Sequence, residues 1–266
     1  MYMDMRHPLE GMRSMGLVSG MLKTVLETEK ILVLQAQLGE WDNLNHLIVC
    51  KKSNQAMIVD PFDGKYWLDI CQERNWNLNQ VWLTHSHWDH SKGIDELQSC
   101  DIWVHEKESE RGWNGASNRT WTHEPLSFVI QKLGDLVFEI HCTPGHTPGH
   151  VTFVGEGVVI SGDCIFLGRC GRTDLFGGDP LAQRKSLIYL RNRLSELNGD
   201  EIILPGHRYE LADGSNPTFI SISELLSNNE AILAIDDDSK WSKLPFLAFE
   251  DNLAEKARRQ RAKNAR

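Results

Sequence analysis

The sequence predicts an α/β (α+β) fold with β-sheets in the middle and helices outside. Three observations predict it: an opening run of short apolar strands, an alternation of strands and helices that lasts to about residue 207, and one amphipathic helix at 180–198 that needs a sheet to cover. The opening run is ILVLQAQL (31–38), HLIVCK (46–51) and AMIVD (56–60), separated by Gly, Asn, Asp and Ser clusters, which reads as a β meander. Residues Tyr66 to Trp76 carry apolar side chains at helical spacing and lead into the strand QVWLT. VFEIHC, GVVIS and EIIL follow as further strands. In the helix at 180–198, Asp179 stands at the N-cap and Pro180 at the first helical position; Leu187, Leu190, Leu194 and Leu197 form one stripe, and Gly199 closes it. No Gly/Ser-rich or Pro-rich linker divides the 266 residues. They read as an N-terminal extension (1–28), one main domain (29–210) and a short helical C-terminal extension (211–266).

Bulk properties exclude several classes of function. Against 28 Lys+Arg stand 37 Asp+Glu, a net charge of −9, so the surface repels phosphate backbones and no nucleic-acid partner is expected. No apolar run is long enough to span a bilayer, so no membrane partner is expected either. Asp4, Arg6, Arg13, Lys23 and Glu27 interrupt the N-terminus, so no signal-peptide core can be drawn there. The six cysteines form no CxxC pair and read as reduced thiols, which places the chain in the cytoplasm. The basic tail, with Lys256, Arg258 and Arg259, reads either as a solvated helix end or as an anion-contacting element near an active site.

Five of the eleven histidines carry the chemistry; His7, His46, His105, His123, His141 and His150 lack the strand-end pattern. Directly after the strand Val81-Trp82-Leu83 comes Thr84-His85-Ser86-His87-Trp88-Asp89-His90. Three further strands end the same way: VFEIHC runs into Pro144-Gly145-His146, GVVIS into Gly162-Asp163, and EIIL into Pro205-Gly206-His207. Each ends in a potential metal ligand beside a glycine, where the chain can turn sharply. In extended geometry His85 and His87 point to one side and can reach one metal ion together, while Asp89 and His90 are displaced toward a second position. His146 completes the first site and His207 the second. Asp163 is left as the natural bridge, because a carboxylate can span two ions roughly 3.5–4 Å apart. Imidazole and carboxylate donors suit Zn, Fe or Mn. Two divalent ions are therefore expected, Zn first. His150 is a candidate for holding the outer nitrogen of His146, with simple packing as its competing role.

This string of ligands, in this order over roughly residues 31–210, resembles the metallo-β-lactamase superfamily. The resemblance implies a four-layer αββα sandwich with the metals at one edge. It places His85, His87, His146 and Asp163 at site one, and Asp89, His90, His207 and the shared Asp163 at site two. Cys164 adjoins the bridging position, which Asp163 already fills, so it reads as packing. Within the superfamily, Thr-His-x-His-Trp-Asp-His, the loop TPGHTPGH and Gly-His-x-Tyr look most like glyoxalase II, the hydroxyacylglutathione hydrolases. By that resemblance Arg172, in Cys170-Gly171-Arg172, and Tyr209, in His207-Arg208-Tyr209, contact the glutathione moiety. The competing roles are a local pair with Asp174 for Arg172 and packing for Tyr209. The chain departs from glyoxalase II in its last 50 residues, which do not reproduce that branch's helical domain with its Arg/Lys pair.

The function this implies is metal-dependent hydrolysis of an S-acylglutathione such as S-lactoylglutathione through a metal-bridging hydroxide, with Asp89 orienting that hydroxide. The alternative is an iron-dependent persulfide dioxygenase of the same fold, which the run Cys170-Gly171-Arg172-Thr173-Asp174 also resembles. It would use His85, His146 and Asp163 around one iron.

Overall fold

Residues 22–264 are described by the computed structural model, and their strands form two sheets. The first holds β1 (Leu22–Glu27), β2 (Ile31–Gln37), β3 (Leu44–Cys50), β4 (Gln55–Val59), β5 (Asn77–Trp82), β6 (Asp101–His105) and β7 (Arg119–Trp121), side by side in chain order. The meander β1–β4 is antiparallel and needs only short turns. From β4 to β7 the pairing is parallel, and a parallel pair requires a crossover. The crossovers are α1 (Gly64–Glu73), then α2 (Trp88–Ser91) with a 3-10 turn at Lys92–Glu96, then α3 (Glu106–Glu110). The second sheet holds β8 (Phe128–Leu133), β9 (Leu136–Cys142), β10 (Val151–Gly155), β11 (Val158–Gly162), β12 (Ile202–Pro205) and β13 (Ile220–Ser221). Its one parallel pair, β11 with β12, is joined by α4 (Pro180–Leu194). Four helices close the chain: α5 (Ile222–Asn228), α6 (Glu230–Ala234), α7 (Asp238–Trp241) and α8 (Asn252–Asn264).

Side-chain alternation along the strands builds the layers. Ile31, Val33, Ile48, Met57 and Trp82 of the first sheet meet Phe138, Ile140, Phe153 and Ile160 of the second in one inter-sheet core. The residues between them, Leu32, Leu34, Leu47 and Val49, face the other way and pack on Trp67, Ile70 and Cys71 of α1. On the far side, Val154, Val159 and Ile203 pack on Leu187, Leu190 and Leu194 of α4 and on Ile222, Ile232 and Trp241 of the later helices. The order of layers is helix, sheet, sheet, helix.

Two boundaries differ from expectation. The first sheet already begins at Leu22, ahead of the boundary placed at residue 29, because β1 pairs antiparallel with β2 as an edge strand. Its half-exposed LKTVLE lacks the continuous apolar run that marks the doubly covered strands. The rest of the expected N-terminal extension, residues 1–21, lies outside the described residues. Helix α4 starts as expected, with the Asp179 side chain accepting from the backbone N–H groups of Leu181 and Ala182. It stops at Leu194 and not at 198, because the Leu197 N–H turns back to the Leu194 carbonyl in an i to i+3 bond.

Trp82 is fully buried, with ring centres of Trp121, Phe138 and Phe153 at 6.0, 5.6 and 5.2 Å. Trp82→Ala is expected to cost about 3–5 kcal/mol in urea unfolding, the transfer term plus an unfilled cavity. A loss near zero would show that the inter-sheet core does not depend on it.

Candidate metal centre

The residues that follow β5, β9, β11 and β12 meet where cross-sheet hydrogen bonds tie the two sheets together. The Val151 N–H donates to the Thr84 carbonyl at 2.8 Å, and the Leu44 N–H to the Gly206 carbonyl at 2.8 Å. Gly206 is required by this crowding: a Cβ there would lie 2.3 Å from Asp163 Oδ1.

Three groups of three side chains have their ligand atoms within 4.8 Å of one another at this edge: His85, His87 and His146; Asp89, His90 and His207; and Asp60, His85 and His90. In the last, Asp60 is already taken by Thr84 and by Nδ1 of His90, which leaves the first two as the groups open to an ion. Asp163 stands between them. Its Oδ2 lies 3.5 Å from His146 Nε2 and 3.4 Å from His207 Nε2, and its Oδ1 lies 3.4 Å from His90 Nε2. Apart from Trp88 the whole string from His85 to His90 is buried or nearly so.

Hydrogen bonds at the outer edge of the rings settle which nitrogen carries the proton. A backbone carbonyl only accepts, so His146 Nδ1–H donates to the Arg172 carbonyl at 2.7 Å and His207 Nδ1–H to the Trp41 carbonyl at 2.7 Å. His90 Nδ1–H donates to Asp60 Oδ2 at 2.9 Å. The Thr84 hydroxyl gives its proton to the same oxygen at 2.6 Å, so it accepts from His85 Nδ1–H at 3.0 Å. Four rings therefore turn Nε2 inward. These nitrogens crowd: His90 Nε2 faces His207 Nε2 at 3.1 Å, and the Nε2 atoms of His85 and His146 each lie 2.9 Å from His87 Nδ1. Asp163 Oδ1 is also buried without a hydrogen-bond donor. Inward nitrogens crowded around an unpartnered carboxylate oxygen call for positive charge between them: protons on His90 and His207 supply it where no ion is bound, and metal cations fit the same places.

The electrostatics divide the same way. Burial, with the neighbouring imidazoles, holds His85 and His87 well below the ordinary histidine range, so both are neutral donors; burial lowers His146 too. Burial also opposes the charged form of His90, but Asp89, Asp163 and Asp60 outweigh it and push His90 up to about 10. The second group thus attracts positive charge. Burial works against ionised Asp89 and Asp163 as well, yet His90 and His207 hold both carboxyls well below the usual range.

The chain matches the metallo-beta-lactamase superfamily over residues 41–207, a span that holds both groups and Asp163. The chain belongs to that superfamily. A hydroxyacylglutathione hydrolase of Shewanella loihica is 32% identical over 199 residues, covering 73% of this chain and 70% of the relative. Among solved structures, ETHE1 from Myxococcus xanthus superposes with a TM-score of 0.60 at 24% identity over 87% of this chain and 98% of its own. TTHA1623 in a di-iron-bound form superposes with a TM-score of 0.55 at 26% identity over 73% of this chain and 98% of its own. The superfamily fold binds divalent metals, and the His/Asp groups fit a dimetal centre.

The remaining candidates fall in different places. Arg172 forks onto two carboxylates, Asp174 at 2.6 and 2.9 Å and Asp251 at 2.7 and 3.0 Å, while its carbonyl holds His146. Asp251 leads into α8, so this pair fastens the start of the basic tail to the ligand loop. Beyond it, Arg259 pairs with Glu255 within the helix. Tyr209 is exposed, with its ring centre 6.2 Å from that of His207. His150 does not hold His146, whose outer nitrogen is taken by the Arg172 carbonyl; its Nε2 instead accepts from the Asp163 N–H at 3.1 Å. Cys164 is buried, and burial pushes its thiol up to about 12.

Three residues of the centre escaped the sequence reading. Asp60 receives Thr84 N–H, Thr84 Oγ1 and His90 Nδ1, so it orients two ligands; its place at the end of AMIVD, before Pro61, was the available signal. Asn43 donates to Asp89 Oδ2 at 2.8 Å. Glu108 is fully buried and clamps both ligand loops: it accepts from the Ser86 N–H and hydroxyl, from the Gly149 N–H at 2.9 Å and from Arg111 at 3.1 Å. Glu108→Ala strands these donors and the Arg111 charge. It is expected to cost about 3–5 kcal/mol in denaturant unfolding and to weaken zinc retention about 10–100-fold in a chelator competition. Wild-type zinc retention would contradict the clamp.

Proposed function

We propose that the chain is a metal-dependent thioesterase of the glyoxalase II type, holding two zinc ions and cleaving S-acylglutathiones such as S-lactoylglutathione. The observation that carries this reading is the pair of three-ligand groups on either side of the buried, donor-free oxygen of Asp163. His85, His87 and His146 would hold one ion, Asp89, His90 and His207 the other, and Asp163 both. Two divalent ions held there would lower the pKa of a bound water toward neutrality and polarise an acyl carbonyl.

The chain's own residues supply orientation and selectivity. Asp89, steadied by Asn43, would orient the attacking water. With all seven side chains of the centre taken up as ligands, none of them is left to protonate a leaving group. That favours a thioester over an amide, because a thiolate leaves without an acid to protonate it. The hydroxyacylglutathione hydrolase relative supports the same substrate class. The six cysteines, all buried and unpaired, support a reducing compartment such as the cytoplasm.

The purified, zinc-loaded chain is expected to hydrolyse S-lactoylglutathione. His85→Ala and Asp163→Ala are each expected to lower kcat/KM by about 100-fold or more, as followed by thioester absorbance. Undiminished turnover in either variant would sink the proposal. Oxygen uptake on glutathione persulfide with one iron per chain would assign the chain to the oxygenase branch.

A further inference from the structure

Each sheet has two edge strands, and three of the four are guarded against pairing with another chain. Strand β1 shifts register between Thr24 and Leu26 and carries Lys23 and Glu27. Strand β7 is three residues long, with Arg119 paired to Asp101, and β13 has two residues. The fourth edge, β8, is six residues of Phe-Val-Ile-Gln-Lys-Leu that pair with β9 without a register shift.

This edge is also apolar. Phe128 is 46% and Ile130 52% exposed, and Val129 and Val137 are exposed beside them. The register with β9 puts Phe128, Ile130 and Lys132 on one face together with Val137, Glu139 and His141. Helix α4 covers β9 on that face: the Tyr189 hydroxyl meets His141 Nδ1 at 2.7 Å, and Arg193 donates to Glu139 at 2.9 and 3.0 Å. Phe128 and Ile130 are left uncovered one strand further out. Val129 faces the other way, beside Ile140 of the inter-sheet core.

The backbone of β8 defines what can pair with it. The two-residue turn Gly134-Asp135 joins β8 to β9, and the Ser127 carbonyl accepts from the Cys142 N–H. Bonding alternates along an antiparallel ladder, so the odd-numbered residues of β8 bond to β9, and the N–H and C=O groups of Phe128, Ile130 and Lys132 point outward. The Gln80 side chain takes the Lys132 carbonyl at 3.2 Å, which ends the open edge there. Phe128 and Ile130 remain. Two outward residues at i and i+2 match a second copy of the same strand turned end for end: Phe128 of each copy stands opposite Ile130 of the other in hydrogen-bonded pairs, and the two Val129 side chains meet on the two-fold axis. The same rotation brings Lys132 of each copy toward the Glu124 end of the other strand, so the ends are complementary in charge.

We propose that β8 is a homodimer interface, through which two copies of this chain pair antiparallel in that register and join their second sheets into one. The second copy covers Phe128 and Ile130 on one face and Val129 on the other.

The test begins with sedimentation velocity of the full, zinc-loaded chain, which is expected to run as a dimer of 30.3-kDa chains. Two variants attack the interface differently. Ile130→Lys sets a charge opposite Phe128, and Ile130→Pro removes an outward N–H while sparing the bonds to β9, at an edge position where proline is tolerated. Each is expected to raise the dimer dissociation constant about tenfold or more. The register is read from two cysteine variants of the otherwise unchanged chain, treated with oxidised glutathione, which takes up the two electrons and two protons as each inter-chain disulfide forms. Val129→Cys should give a covalent dimer on a denaturing gel, because a non-hydrogen-bonded pair on the axis brings the two Cα atoms to about 4.5 Å. Gln131→Cys should not, and the six native cysteines are buried. A monomeric wild type, a dimer that neither Ile130 variant weakens, or cross-linking of Gln131→Cys as readily as of Val129→Cys would each overturn the interface.

Discussion

The constraint on which the rest of the structure depends is the direction of four protons. The outer nitrogens of His85, His90, His146 and His207 are each committed to an acceptor, so Nε2 of every ring is the nitrogen turned to the centre. These inner nitrogens approach to about hydrogen-bond distance of one another or of His87. Burial removes the option of water, and the imidazoles next to one another cannot all be charged. Only a positive charge at the centre relieves this, and the divided electrostatics prepare two places for it: a neutral group of three imidazoles, and a second group kept attractive to cations by Asp89, Asp163 and Asp60.

Much of the architecture serves to hold that arrangement. The two sheets meet at this edge through backbone hydrogen bonds from Val151 to Thr84 and from Leu44 to Gly206, so ligands from both sheets are fixed relative to one another by the backbone itself. Asp60 sets Thr84 and His90 from the first sheet, and Glu108 reaches from α3 to the loops on either side of the centre. The ligands therefore sit on loops, but loops clamped by buried carboxylates, which gives them the rigidity a metal site needs.

The parts legible in the sequence were those written as local patterns. The four strand-end strings named seven polar residues, and the structure brings all seven together; the doubly apolar strands and the capped helix at Asp179 were readable for the same reason. What escaped was non-local. Glu108 is an ordinary helical Glu until Ser86 and Gly149 are folded against it, and Asn43 gains meaning only across from Asp89. The strand β1 has one face half-exposed, so its sequence carries no continuous apolar run. Arg172 is a further case: its motif position gives no sign that Asp174 and Asp251 both take its guanidinium, and Asp251 lies 79 residues away in sequence.

The central claim, that the crowded inner nitrogens and the donor-free Asp163 oxygen form a two-cation site, is tested most directly by counting metals. Elemental analysis of the purified full chain, after dialysis against trace zinc, should find two divalent ions per folded chain. One ion per chain, or none, would contradict the account.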